Sequence, residues 1–303
     1  MKRRTFISRS TATAAYVGLG SLALPSCMPT KTKHLTIVHT NDVHSHIDPF
    51  PNQHSLYPNQ GGVARRASLI EKIRIENPNI LLLDAGDIFQ GTPYFNFYGG
   101  ELEFKLMSML HYDAATMGNH DFDNGLEGFL AQLHHAKFDF LIANYDFRNT
   151  ILEGTTKPYK IFEKNKLKIG VFGLGIKLDG LVTKNLFQET KYLDPIELAQ
   201  DIGCTLKEVE GCDLVVCLSH LGYSYEDSQR IDDLKLAAAT AYVDVIIGGH
   251  THTFLEAPTV VPNKLGQNVI VNQAGCFGVT LGRLDFYFDT DKGKTVDNRA
   301  ITV

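Results

Sequence analysis

Five short apolar runs in this chain each break off into a loop that carries Asp, Asn or His. They lead into Asn41-Asp42-Val43-His44, Gly86-Asp87, Gly118-Asn119-His120-Asp121-Phe122-Asp123, Ser219-His220 and Gly248-Gly249-His250-Thr251-His252. Apolar runs this short, without polar alternation, fit strands covered on both faces. In a sheet of such strands, loops at strand ends are the usual place for a site. The pattern asks for a fold that gathers five strand ends at one place.

The intervening segments supply the covering helices. Val63, Ala67, Ile70 and Ile73 recur at helical spacing, and Asn77-Pro78 ends that helix. Further helices are expected over residues 101–110 and around Leu126, Phe129, Leu130 and Leu133. Asp194-Pro195 opens another, with Asp as N-cap and Pro in the first helical position, running to about Glu210. A long one is expected over residues 227–241. Strands are expected over 35–38, 80–83, 114–117, 140–143, 167–173, 214–218, 243–247, 269–272 and 281–288, and residues 48–62 form an irregular loop. Strands alternating with helices in both halves indicate an α/β fold class.

The chain has 303 residues, 44% of them hydrophobic, enough for a sizeable core. A net charge of -5 with a pI near 6.2 argues against a nucleic-acid polymer as partner. Cys204, Cys212, Cys217 and Cys276 show no C-x-x-C spacing, so no zinc ribbon is expected, while a disulfide among them stays open. Residues 1–33 read as an export signal and linker, leaving 34–303 as the catalytic domain. Arg3-Arg4-Thr5-Phe6-Ile7 resembles a twin-arginine signal, and residues 11–24 are apolar but short for a bilayer. Leu24-Pro25-Ser26-Cys27 resembles a lipoprotein cleavage box, with Cys27 lipidated. The expected location is the periplasm or cell envelope, with the membrane reached only through that anchor. An ordinary signal peptide cut near Ser26 is the alternative.

Asp42, His44, Asp87, Asn119, His220, His250 and His252 offer two carboxylates, one amide and four imidazoles. Hard oxygen and borderline nitrogen donors without thiolate suit Zn, Mn, Fe or Co. Seven ligands exceed one ion and fit two divalent ions if a carboxylate is shared, with Asp87 as the bridge. Two such ions, roughly 3.5–4 Å apart, acidify a shared water and clamp the oxygens of an in-line displacement. His120 and Asp123 remain as a non-ligand pair suited to proton handling at the reacting group. Asp84 either supports the ligands or caps its turn. His34, His39, His46, His54, His111, His134 and His135 are read as surface or supporting groups, and Cys276 and Phe277 as either near the site or plain core, with core preferred.

These blocks resemble those of the calcineurin-like metallophosphatases, in the versions of the 5′-nucleotidase branch. Leu141-Ile142-Ala143-Asn144 and Gln273-Ala274-Gly275 followed by Leu281-Gly282-Arg283-Leu284 extend the resemblance across residues 35–303. It implies a four-layer αββα sandwich with a dimetal site between the halves. Asp42, His44, Asp87 and His252 would hold one metal, and Asp87, Asn119, His220 and His250 the other. His120 and Asp123 would be the catalytic dyad. His252 departs from the Gln or Asn of several 5′-nucleotidases but remains a competent ligand.

The function implied is release of phosphate from nucleoside 5′-monophosphates or related esters by a hydroxide shared between the metals, serving nucleotide salvage. Cleavage of 2′,3′-cyclic nucleotides or nucleotide sugars is the runner-up. A non-catalytic metal-binding surface lipoprotein is the alternative from another class, and His120 with Asp123 argues against it. Two-domain 5′-nucleotidases carry a C-terminal domain that grips the nucleotide. Two outcomes stay open: the protein works alone on its small-molecule phosphate ester with loose specificity, or a separate chain supplies that domain as a partner.

Overall fold

The computed structural model describes residues 32–289, 291 and 293–303, so the readings of Arg3-Arg4 and Cys27 lie outside the described residues. In chain order the strands are β1 (Thr32–Thr40), β2 (Ile80–Asp84), β3 (Ala114–Ala115), β4 (Asp139–Phe140), β5 (Tyr145–Asp146), β6 (Tyr159–Lys164) and β7 (Leu167–Leu174). They continue as β8 (Lys191–Tyr192), β9 (Leu214–Ser219), β10 (Val245–Gly248), β11 (Thr259–Pro262), β12 (Asn268–Asn272), β13 (Thr280–Asp289) and β14 (Gly293–Thr302). One six-stranded sheet has the order β14-β13-β1-β2-β3-β4 and the other β11-β12-β10-β9-β7-β6. Strands β1 to β4 pair in parallel, as do β7, β9, β10 and β12. Antiparallel β6, β11 and β14 lie at sheet edges.

Strand parity sorts the core into layers, because successive side chains point to opposite faces. Leu35 and Ile37 of β1 and Leu81 and Leu83 of β2 face Ile169, Val171, Leu214, Val216, Val245 and Ile247 of the other sheet. Their neighbours Val38, Ile80 and Leu82 turn outward to α1 (Val63–Glu76), α2 (Pro93–Tyr98), α3 (Glu101–Met109) and α4 (Gly125–Leu133). After α5 (Lys184–Phe187), α6 (Pro195–Cys204) and α7 (Asp233–Ala239) cover the second sheet through Val215, Cys217 and Ile246. Helix, sheet, sheet, helix is the αββα arrangement, and Lys33–Val303 forms one unit.

Local signals were sufficient where the cause was local. Asp194 Oδ1 accepts from the main-chain nitrogens of Ile196 and Glu197, starting α6, which passes into a π-turn over Thr205–Val209. Asn77 turns extended ahead of Pro78 and ends α1.

Several expectations need correction. The helix expected over 227–241 is only α7, because Asp232 caps it and the Lys235 ammonium binds the carbonyls of Tyr225, Asp227 and Arg230, holding the preceding segment as a loop. The strand expected over 140–143 stops at Phe140. Ile142 N–H goes to the Lys157 carbonyl and Ala143 N–H to that of Gly173, carrying the chain towards the second sheet. The run at 114–117 keeps only two residues in strand form. His39 is neither surface nor ligand support. It is fully buried between the sheets, 2.9 Å from Asn272 Nδ2, where Gly282 leaves room for its ring, and burial lowers its pKa to about 4.

Candidate metal centre

The parallel strands deliver their C-terminal ends to one side. The loops after β1 and β2 stay paired beyond the strands: Asp42 N–H bonds the Gly86 carbonyl, His44 N–H that of Asp87 and Ser45 N–H that of Ile88. Asp42, His44, Asp87, His250 and His252, five of the seven candidate ligands, adopt φ between 50° and 71°. Left-handed backbone costs an L-residue about 1 kcal/mol, and such strain gathers where side-chain placement matters more than backbone comfort.

Two groups of side chains result: Asp42, His44 and His252, and Asp87, His220 and His250. His44 Nε2 lies 3.0 Å from His252 Nε2, and His252 Nε2 lies 3.4 Å from Asp42 Oδ1. Asp87 Oδ2 stands between the groups, 3.8 Å from His44 Nε2 and 3.1 Å from His220 Nε2. Asn119 joins the second group, with Oδ1 2.8 Å from His250 Nδ1.

The imidazoles are aimed from behind. His220 Nδ1 donates to the Ala85 carbonyl at 2.7 Å, and His44 Nδ1 to that of Phe89 at 3.2 Å. Both Nε2 lone pairs therefore face the centre, the arrangement that prepares a histidine ligand. His220 Nε2 is buried 3.1 Å from Asp87 Oδ2, without a hydrogen-bond partner of good geometry. Burial lowers the His220 pKa, but Asp87 and Asp42 outweigh it and lift the value to about 10. The same field favours a cation, and the donor set fits divalent ions.

His120 stands apart from both groups. Its Nδ1 is 2.9 Å from Asp123 Oδ2, both side chains are partly exposed, and this bond raises its pKa. Nε2 is left to carry a proton towards solvent and the centre. Phe122 is buried and packs on Tyr145. Asp84 caps its turn, accepting from Gly86 N–H at 2.9 Å and from Thr40 Oγ1 at 2.6 Å.

Three supports lay outside the sequence reading. Asp121 is fully buried and accepts from the N–H groups of Gly118, Asp87, Ile88 and Phe89, clamping two loops together. The available signal was an acid in the unassigned slot of an otherwise chemical hexapeptide. Asn41 binds Asp42 Oδ2 and the Gly275 carbonyl. Gln273 binds the Gly249 carbonyl and so fixes the loop bearing His250 and His252. Cys276 is buried, next to Gly275, whose carbonyl Asn41 binds. Phe277, at φ 59°, is also at the site, its ring 5.8 Å from that of His252 and 6.0 Å from that of His44. Phe50, His54 and Tyr57 from the 48–62 loop stack beside it as a rim.

The calcineurin-like phosphoesterase family model matches residues 35–254. The chain belongs to this family. It is 38% identical over 282 residues to a snake venom 5′-nucleotidase of Crotalus adamanteus, covering 86% of this chain and 46% of the relative. It is 35% identical over 297 residues to the 5′-nucleotidase of Rattus norvegicus, covering 91% and 50%. Among solved structures, the 5′-nucleotidase precursor of Thermus thermophilus superposes with a TM-score of 0.80 at 36% identity, covering 89% of this chain and 55% of that one. The chain spans about half the length of these relatives. Calcineurin-like phosphoesterases use a dinuclear metal site, and this member has two candidate ligand groups meeting at Asp87.

Proposed function

We propose that the protein is a dimetal-dependent phosphohydrolase that releases phosphate from nucleoside 5′-monophosphates. The observation carrying this reading is the position of Asp87 Oδ2 between two ligand groups, with the His120–Asp123 pair alongside. Asp42, His44, Asp87 and His252 would hold one ion, and Asp87, Asn119, His220 and His250 the other. When bound, the ions supply Lewis-acid polarisation of the phosphoryl oxygens and an acidified water. Asp87 and Asp42 set the charge of the centre, and the Ala85 and Phe89 carbonyls keep His220 and His44 in the ligating tautomer. His120 presents its Nε2 proton to a phosphoryl or leaving-group oxygen, and Asp123 keeps that ring oriented. The 5′-nucleotidases among the relatives favour a nucleotide as substrate.

The test is phosphate release by metal-free protein reloaded with Mn or Zn, using AMP, UDP-glucose, 2′,3′-cyclic AMP and an aryl phosphate. AMP as the dominant substrate is expected. No release from any of them with either metal defeats the reading. We further propose export with lipidation at Cys27. Fractionation of the native host tests it: Cys27→Ala should move the protein from membrane to soluble envelope fraction, and an unchanged distribution contradicts the anchor.

A further inference from the structure

Three loops bring aromatic rings together beside the candidate centre: the 48–62 loop, the residues after His252 and the turn at Phe277. Phe277 is the innermost, its ring 5.8 Å from that of His252, and φ 59° is an outlier for a bulky residue. Tyr57 stands against it at 6.1 Å, edge to face, and Phe254 lies 5.9 Å beyond Tyr57. The rings therefore form a continuous series that starts at a candidate ligand and runs outward.

The outer end of the series is held in place and left open. Phe254 lies two residues from His252, and its backbone is bridged to Ala274. One face of its ring packs on Gly275, where a Cβ would collide with it, yet the residue is 43% exposed. Tyr57 is fixed by its own loop. Phe50 N–H donates to the Gln60 carbonyl at 2.8 Å and closes the base of that loop. Tyr57 N–H donates to His54 Nδ1 at 3.0 Å, and the His54 ring lies within 11° of parallel to that of Tyr57. An exposed apolar side chain on its own needs no explanation, whereas a contiguous apolar patch marks a binding surface. Here the patch is made of flat rings, and it is continuous with His252.

We propose that Phe254 and Tyr57 form a stacking face for the nucleobase of a substrate whose phosphoryl group sits at the candidate centre. The proposal rests on the dimetal phosphohydrolase reading and adds how the organic part of the ester is selected. Continuity with His252 favours a group tethered to the phosphate over an independent partner. Stacking on an aromatic ring tolerates any base, because every base has a π-face. Purine and pyrimidine monophosphates should therefore both be accepted.

Kinetics with AMP and with ribose 5-phosphate, which lacks the base, test the face. In metal-loaded wild type, kcat/KM for AMP should exceed that for ribose 5-phosphate about 10-fold or more. The double substitution Tyr57→Ala, Phe254→Ala should raise KM for AMP and collapse that preference, with metal content retained. The chain has no Trp, so Phe254→Trp places a single indole on the face. Adenosine should quench its fluorescence saturably, and adding Tyr57→Ala should weaken the quenching. Equal handling of the two esters by wild type, or a preference that survives in the double variant, overturns the face. A parallel loss for both esters also overturns it, assigning the rings to support of the ligand loops. A second chain that co-purifies from the native host with wild type but not with the double variant, base preference being unchanged, overturns it in favour of that chain. If wild type hydrolyses neither ester, the functional reading fails by itself. The adenosine titration then decides the face: saturable quenching upholds a base site, and its absence overturns one.

Discussion

Asp121 Oδ2 accepts the main-chain N–H of Asp87 at 3.1 Å, tying the loop after β3 to the loop after β2 behind the candidate metals. The same carboxylate accepts from Gly118, Ile88 and Phe89, so its two oxygens serve four donors. Asp121→Asn turns an NH2 group towards two of those donors. The expected cost is about 1–3 kcal/mol of stability, the penalty for buried unpaired donors, with weakened metal retention. Thermal unfolding and metal analysis after dialysis check both.

In the proposed reaction His120 and Asp123 divide the proton handling. His120→Asn should lower kcat about 10²- to 10⁴-fold while metal content stays at the wild-type level. Asp123→Asn keeps the imidazole but loses the bond that orients it and raises its pKa, so a smaller fall in kcat is expected. Steady-state kinetics with metal analysis on the same samples distinguishes these outcomes from loss of the site.

Gly118 is required for close approach. A methyl group there would stand 2.6 Å from both Asp87 N and His220 Nε2. Gly118→Ala should displace Asp87 or His220, and metal content and activity should fall together. Elemental analysis of the purified variant gives the answer.

Removing the metals should destabilise the chain, because ions bound only by the folded state add stability. At a free ion concentration of one hundred times Kd the gain is about 2.7 kcal/mol. Chelation should therefore lower the melting midpoint, and Zn or Mn should restore it. A midpoint indifferent to metal would mean that the fold holds no ions.

The sequence disclosed what local chemistry controls. The parallel strands read as apolar runs, the Asp194-Pro195 start of α6 as a cap, and the candidate ligands as polar residues at strand ends. Tertiary causes stayed hidden. The start of α7 depends on where the Lys235 ammonium finds carbonyls. Strand β14 is mostly exposed, with only Val296 and Ile301 packing against the core, and its ladder to β13 holds the rest. Asp121 was concealed by neighbours with more obvious roles. Phe277 looked like core because an aromatic residue after Cys276 gives no hint of a positive φ that turns its ring to the site.

The most direct measurement concerns Asp87, whose Oδ2 approaches both ligand groups. Metal-free wild type and Asp87→Asn are titrated with Zn or Mn, and phosphate release from AMP is followed in the same samples. Wild type should take up about two ions per chain, as a two-metal hydrolase requires, with release developing as the second binds. Asp87→Asn should fail to retain both ions and lose release. Full uptake and undiminished phosphate release by Asp87→Asn would contradict a shared carboxylate at the centre of this site.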